Sequence, residues 1–378
     1  MDGMRHLLLP KQLLVVGQDF LVASMSQYCN LRQLTNLSER YSWPSAPPEL
    51  IVSINPHERC DADFLQAVFG SAAIVVHLHN QLQYLEGQQR SNAMRSLSFA
   101  SCIIVPSNFL SSAVQKLFPQ IPVHVVPNGV PQRLFYPASE EECVEFRAEH
   151  RLPRKKLLVG FIGALTDAKG LQVVRSICSK MSAREFTLLL QYPAWSVSRG
   201  IGDLYGRIAT DLKARNPSDI LLWPDISPRT APRPVRYLDV LISPSLSEVQ
   251  PLTVLEALMS GVPTIATKAT PFYDELVDSG VKYVWCRTIP LPARFKEGSL
   301  ERSKLTLTDE EAGTIADDII GVLGDHQQIG PRDHETMPLK IKELGFTEDA
   351  MCSSFSKIYD QAVLSFGQGT RELRPAPT

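Results

Sequence analysis

The feature that most constrains this chain is a repeated alternation. Short, unbroken apolar runs rich in Val and Ile recur, and a polar or helix-patterned stretch follows each. In the first third the runs are "QLLVVG" (12–17), "ELIVSI" (49–54), "AAIVVHLH" (72–79), "ASCIIVPS" (100–107) and "PVHVVPN" (122–128). Continuous runs suit strands covered on both faces, as in a parallel sheet. Helix-patterned stretches lie between them, among them "DADFLQAVFG" (61–70) and "SNFLSSAVQKLF" (107–118). In the second stretch Phe109, Leu110, Val114, Leu117 and Phe118 keep helical spacing, and Ser107 can cap the start. A second series begins near residue 156: "KLLVGFIGAL" (156–165), "FTLLLQY" (186–192), "DILLW" (219–223), "DVLISPS" (239–245), "PTIAT" (263–267) and "KYVWC" (282–286), with helices over 171–182 and 203–215. Alternation of this kind, met twice, predicts two α/β doubly wound domains in tandem.

The region 129–156 breaks the pattern with Gly129, three prolines and mixed charge, and reads as a linker with a short helix. Its basic cluster, Arg151, Arg154, Lys155 and Lys156, is either a solvated linker or a weak contact for anionic lipid or phosphate. The predicted division is 1–137 for the first domain, 138–155 for the linker and 156–340 for the second domain. A last helix then runs over 341–366, and a Pro-rich tail over 367–378.

Composition excludes several classes. The chain has 378 residues and a formal net charge of -2, so no global field favours nucleic acid. Its seven cysteines, Cys29, Cys60, Cys102, Cys143, Cys178, Cys286 and Cys352, include no CxxC pair. An odd, scattered set argues against a disulfide framework or a zinc site and points to a reducing compartment. The N-terminal apolar run is broken by Pro10 and Lys11, a poor match to a signal peptide, and no stretch approaches the ~18 apolar residues of a membrane helix. The expectation is a cytoplasmic protein without a transmembrane segment.

Chemistry concentrates in three places. "SEVQPLTVLEALMSG" (247–261) sets Glu256 among apolar neighbours, where a carboxylate is costly unless partnered or facing a polar cavity. Pro251 suits a first helical turn, and Gly261 with Pro263 a helix end, so a helix is predicted from Pro251 to Ser260. Thr253, Glu256 and Ser260 then form a narrow polar stripe. The stripe is either a solvated face or the lining of a ligand cleft at the carboxyl ends of parallel strands. Glu248 lies in the loop before this helix, so both glutamates can reach one long ligand, and carboxylates suit sugar and ribose hydroxyls. In "GFIGALTDAKGL" (160–171) a strand ends at Gly163 and Lys169 opens a helix. A lysine there is either an exposed turn residue or the partner of an anion such as a diphosphate. In "VVHLHNQ" (75–81), His79 and Asn80 sit at a strand tip, as structural residues or as a cleft wall.

Together, and in this order, these segments resemble the retaining glycosyltransferases of family 4, which have the GT-B fold. The resemblance runs with gaps from about residue 72 to 366. Glu248 and Glu256 match the E-x7-E motif, and "PLTVLEALMSGVPTIAT" the segment that carries its second glutamate. "VVPNGV", "GALTDAKGL" and "TPFYDELVDSG" resemble three further family segments. The resemblance implies a GT-B fold, with two Rossmann-like doubly wound domains facing across a cleft and the last helix crossing back to the first domain. It implies a nucleotide diphosphate sugar of UDP or GDP type, transferred with retention and without a metal or other cofactor.

By that carry-over Glu256 binds the donor ribose, Glu248 the transferred sugar, and Lys169 the departing diphosphate. Gly163, Pro251, Leu252 and Thr253 border the donor, and the base lies near Pro224, Asp225 and Ile226. His79 sits near the reacting sugar, with Asn80 beside it on the acceptor side. The acceptor is open: a lipid-linked glycan, a polysaccharide, a protein or a small molecule. Three departures stand out. Ala164 occupies the place of an arginine common in the family, with Arg199, Arg229 or Arg233 as candidates to replace it. Gln250-Pro251 follows Glu248 where many members have Phe-Gly. No glycine-rich loop follows the first strand. They motivate two alternatives on the same fold: an inactive binding or scaffold subunit, and an enzyme forming a non-glycosidic bond.

Overall fold

The computed structural model describes residues 13–16, 31–34, 50–54, 72–82, 85–181, 186–193, 201–216, 218–225, 233–298, 305–325 and 327–369. The chain forms two compact units. One comprises 1–129 with 348–378, the other 130–347.

The first unit is built on a six-stranded, all-parallel sheet in the order β2-β1-β3-β4-β5-β6. The strands are β1 (Leu13–Val16), β2 (Leu31–Leu34), β3 (Leu50–Ile54), β4 (Ala73–His77), β5 (Cys102–Val105) and β6 (Val123–Val125). Helix α1 (Gly87–Ser98) follows β4, and α2 (Asn108–Leu117) follows β5. The Ser107 hydroxyl accepts the Leu110 N–H, as its position predicts, and Leu110 and Val114 are buried. The residues "DADFLQAVFG" lie outside those described.

In the second unit the strands are β7 (Leu157–Ile162), β8 (Phe186–Pro193), β9 (Ile220–Asp225), β10 (Val240–Ser243), β11 (Thr264–Thr267) and β12 (Cys286–Ile289). The order β12-β11-β10-β7-β8-β9 is again wholly parallel. Counted within the unit it reads 3-2-1-4-5-6, the Rossmann order, and it reverses between β7 and β10. Its helices are α3 (Glu140–Glu149), α4 (Leu171–Ser179), α5 (Ile201–Arg215), α6 (Leu252–Met259), α7 (Phe272–Asp278), α8 (Asp309–Gly324) and α9 (Thr336–Glu343). The final helix, α10 (Glu348–Gly369), belongs to the first unit. Its Met351, Phe355 and Tyr359 complete a core with Val52, Val75 and Ile104.

Four details differ from the sequence expectations. The short helix expected in the linker is α3, with a capping box of Ser139 and Glu142, but it is not set apart: Phe146 stacks on Tyr237 with ring centroids 4.3 Å apart in the second unit's core. Lys156, from the basic cluster, pairs with Asp219 at 2.6 Å. Strand β12 starts at Cys286 rather than Lys282, because 282–286 close turns in which Trp285 N–H bonds Lys282 O and Cys286 N–H bonds Tyr283 O. Strand β2, "LRQL", carries too little apolar signal to be read from sequence.

Candidate active site

The reversal of strand order places two loops side by side at the carboxyl ends of β7 and β10. The β7 loop closes as a short 3-10 turn, Asp167–Lys169, and Gly170 takes φ 79° and leads into α4. A Cβ on Gly170 would come 2.0 Å from the Pro244 carbonyl oxygen. Only glycine supplies both that backbone conformation and that close approach. The two loops are also bonded directly, Leu246 N–H to Ala168 O at 2.9 Å. The β10 loop is held from its other side by Glu248 N–H to Ala269 O at 3.3 Å and by Thr270 Oγ1 to Val249 O at 3.2 Å.

This packing brings Lys169 and Glu248 together, with Nζ and Oε1 2.6 Å apart. The lysine side chain is 40% exposed and the glutamate 12%. An ion pair with one partner so open contributes on the order of 1 kcal/mol or less to stability. Stability therefore does not explain two charges set at the switch point of the sheet, where ligands bind in such folds.

Helix α6 starts one residue later than expected, because Pro251 is its cap rather than its first residue. Proline offers no side chain to cap the first turn, and no side-chain cap bond is formed. The N–H groups of Leu252, Thr253 and Val254 have no partner within the helix, since the first four donors of any α-helix lack one. Such a terminus binds anions. The helix ends at Gly261, φ 70°, where a Cβ would meet the Asp333 carbonyl oxygen at 2.3 Å. Among the described residues, Gly163, at the end of β7, has only Phe161 Cζ, 4.0 Å away, near the place of a Cβ.

The predicted polar stripe on α6 is shorter than the spacing suggests. Ser260 is fully buried, with no partner for its hydroxyl among the described residues, while Thr253 and Glu256 keep some solvent contact. Glu256 is half-buried rather than fully solvated. Dense surrounding protein pushes its carboxyl up to about 7; Arg233 opposes that shift and Asp225 adds to it. Arg233 is itself buried and donates from Nη1 to Asp225 Oδ2 at 2.9 Å, and Gln191 Nε2 reaches the same oxygen at 3.3 Å. Asp225 ends β9 and Gln191 lies on β8, so this cluster too stands at the carboxyl end of the sheet. Of the arginines that could replace the one absent at Ala164, Arg233 is committed to these carboxylates. Arg199 and Arg229 lie outside the described residues, as does Ile226.

His79 and Asn80 belong to the first unit, at the tip of β4. Burial pushes the His79 imidazole down to about 4, and a hydrogen bond with the Asn128 side chain opposes this. His77, fully buried, is lowered by burial and then by the proximity of His79. Both rings are neutral near pH 7. His77 Nε2 lies 2.7 Å from the Tyr359 hydroxyl of α10. Sequence reading missed Gln191, Asn128, His77 and Tyr359 as parts of these clusters. Only Asn128, inside "VVPNGV", carried a signal.

With this geometry in hand, likeness to known proteins becomes informative. Residues 144–298 match the family model described as glycosyl transferases group 1. Over those residues the chain is similar to that family. The glycosyltransferase MJ1607 of Methanocaldococcus jannaschii, whose function is uncharacterized, is 24% identical over 207 residues, which cover 53% of this chain and 51% of that protein. The chain spans about half the length of the curated relatives it matches. Anabaena HepE, solved in complex with UDP and glucose, superposes with a TM-score of 0.66 at 15% identity, covering 92% of this chain and 99% of that one. Sucrose-phosphate synthase of Thermosynechococcus elongatus gives 0.64 at 17%, covering 84% and 74%. These likenesses show the fold alone, GT-B, with Rossmann-like α/β domains. The group 1 match takes in β7 to β12, and hence Lys169, Glu248 and Glu256.

Proposed function

We propose that this chain transfers a sugar from a nucleotide diphosphate donor of UDP or GDP type to an acceptor, with retention of configuration. One observation carries the reading: Lys169 and Glu248, from separate loops, meet at the switch point of the second sheet, beside the uncapped start of α6. A diphosphate there receives the Lys169 ammonium and the first-turn N–H groups of α6. Fixed donors aimed at the leaving group stabilise charge as it develops. Glu248, once released from Lys169, accepts from hydroxyls of the transferred sugar. Glu256 accepts from the ribose, and the base lies toward Pro224 and Asp225. His79, neutral, offers a hydrogen bond to the sugar, and Asn80 borders the acceptor. Metal independence is part of the reading, because Lys169 supplies the cation. A cytoplasmic location is part of it too, on cysteine usage; among the described residues no helix is long and apolar enough to cross a membrane.

The complex of HepE with UDP and glucose supports a nucleotide-sugar donor. A thermal-shift panel of nucleotides and nucleotide sugars, followed by donor turnover, tests the proposal. Stabilisation by UDP or GDP with turnover of a matching donor sustains it; no response to any member overturns it. The scaffold alternative rests on Ala164, which removes one cation, and on Glu248, which engages the remaining one. It predicts nucleotide binding with no turnover of any donor.

A further inference from the structure

Beyond the charged loops, the molecule holds a second polar assembly whose purpose packing does not explain. Strand β4 reads "AIVVH", and His77 closes it inside the core of the first unit, with no exposure. A Val or Ile there would bury as well without a polar atom to satisfy. Instead the ring is bonded through Nε2 to the Tyr359 hydroxyl at 2.7 Å, and Phe355 presses its edge with ring centroids 4.6 Å apart. Both aromatic residues come from α10, more than 270 residues later in the chain. His77 Nδ1 has no hydrogen-bond partner among the described residues, and among them Tyr359 is what bonds the ring. The His77 ring in turn stacks near that of His79, with centroids 6.0 Å apart and planes 19° from parallel. Asn128 bonds the His79 side chain from another segment.

We propose that Tyr359 and His77 are positioning residues for His79: one buried hydrogen bond from the C-terminal helix orients His77, and His77 forms the wall that orients the His79 ring. The inference rests on the proposed contact between His79 and the transferred sugar. It adds that α10 acts on the site through a specific hydroxyl, not only by covering the sheet. Which ring nitrogen of a neutral histidine carries the proton is set by the hydrogen bonds around it. Removing the Tyr359 hydroxyl releases His77; the His79 ring then loses its wall, its bond with Asn128 loosens, and the single tautomer goes with it.

The test is nitrogen-15 NMR of histidine-labelled full-length protein. The signals of His77 and His79, among eight histidines, are assigned from His77→Gln and His79→Gln spectra. In the wild type, His79 is expected as one tautomer. In Tyr359→Phe, which keeps the ring and its packing, the His79 nitrogens should move toward averaged values; the melting temperature should fall because His77 Nε2 loses its partner, while the chain stays folded and the UDP-induced shift is retained. His77→Gln, which keeps a group for the Tyr359 hydroxyl to bond, should disturb His79 less than His77→Ala. His79 signals unchanged in both Tyr359→Phe and His77→Ala overturn the proposal. His79→Ala tests the parent reading separately: full donor turnover in that variant removes the sugar contact, while the ring signals still decide whether Tyr359 and His77 orient His79.

Discussion

The two polar sites of this protein are made of different materials. At the carboxyl ends of β7, β9 and β10 the second unit sets charges against one another: Lys169 on Glu248, Arg233 on Asp225, and Glu256 in the field of the second pair. At the tip of β4 the first unit sets neutral rings against a phenol and an amide. Ion pairs can be exchanged, because an incoming charge can replace one partner. Buried neutral hydrogen bonds keep a shape, because a polar group left unpaired in a dry interior is costly. The difference teaches which region is built to respond to a ligand's charge and which to hold an orientation. It also bears on Ala164. With the family's arginine absent there and Lys169 held by Glu248, the proposed diphosphate would have to compete with Glu248 for one ammonium.

The largest effect expected is on turnover. Lys169→Ala removes the cation for the leaving group and should lower kcat roughly 100- to 1,000-fold, with little change in melting temperature because the ion pair contributes little to stability. Turnover within about threefold of wild type would remove the leaving-group role. Gly170→Ala comes next. Its Cβ would overlap the Pro244 carbonyl oxygen, in a left-handed backbone conformation, and the two loops must separate. Loss of UDP-induced stabilisation is expected even where circular dichroism still shows a folded chain.

A smaller, opposite effect sharpens the contrast. Glu248→Gln frees Lys169 and should tighten UDP while turnover falls, since the sugar loses an acceptor. Weaker UDP binding in calorimetry would mean that Glu248 helps to hold the diphosphate rather than competing for it. The smallest effect concerns pH. Glu256 is neutral below about 7 and charged above it, and ribose hydroxyls prefer the carboxylate. UDP affinity should therefore rise as pH climbs through 7, and Glu256→Gln should flatten the rise. The same shift gives the folded state more protons than the unfolded chain from the ordinary carboxylate range up to about 7. Through Glu256 alone, ligand-free stability declines across that interval; His77 and His79, lowered from 6.5 by burial, act in the opposite sense and make stability rise with pH up to their ordinary range. In the folded chain His79 titrates at about 4, so it should add no pH dependence to UDP affinity between 6 and 8.

Much of the fold was legible because parallel strands buried on both faces are written as continuous apolar runs. Helix α6 was legible to within one residue at each end, because Pro251 and Gly261 punctuate it. The β2 and β12 errors share a cause: "LRQL" lacks apolar character, and "KYVWC" has it while closing turns. Within the site, Lys169, Glu248 and Glu256 lie in local motifs and could be read. Their partnerships could not. Tyr359 reaches His77 across 282 positions, and the bond from Arg233 to Asp225 has no signature in the residues between them. Ser260 shows the limit of periodicity: it keeps the spacing of a stripe and is nonetheless buried where Gly261 turns the chain.

The central claim is that Lys169 binds the diphosphate of a nucleotide donor in the second unit. Calorimetric titration of UDP and GDP into wild type and Lys169→Ala, with EDTA present, tests it most directly. The account predicts that one nucleotide binds the wild type without metal and that the variant binds it at least about tenfold more weakly, the about 1.4 kcal/mol expected for a charge-assisted contact. Equal affinity of the two proteins, or binding that requires an added divalent cation, would contradict it.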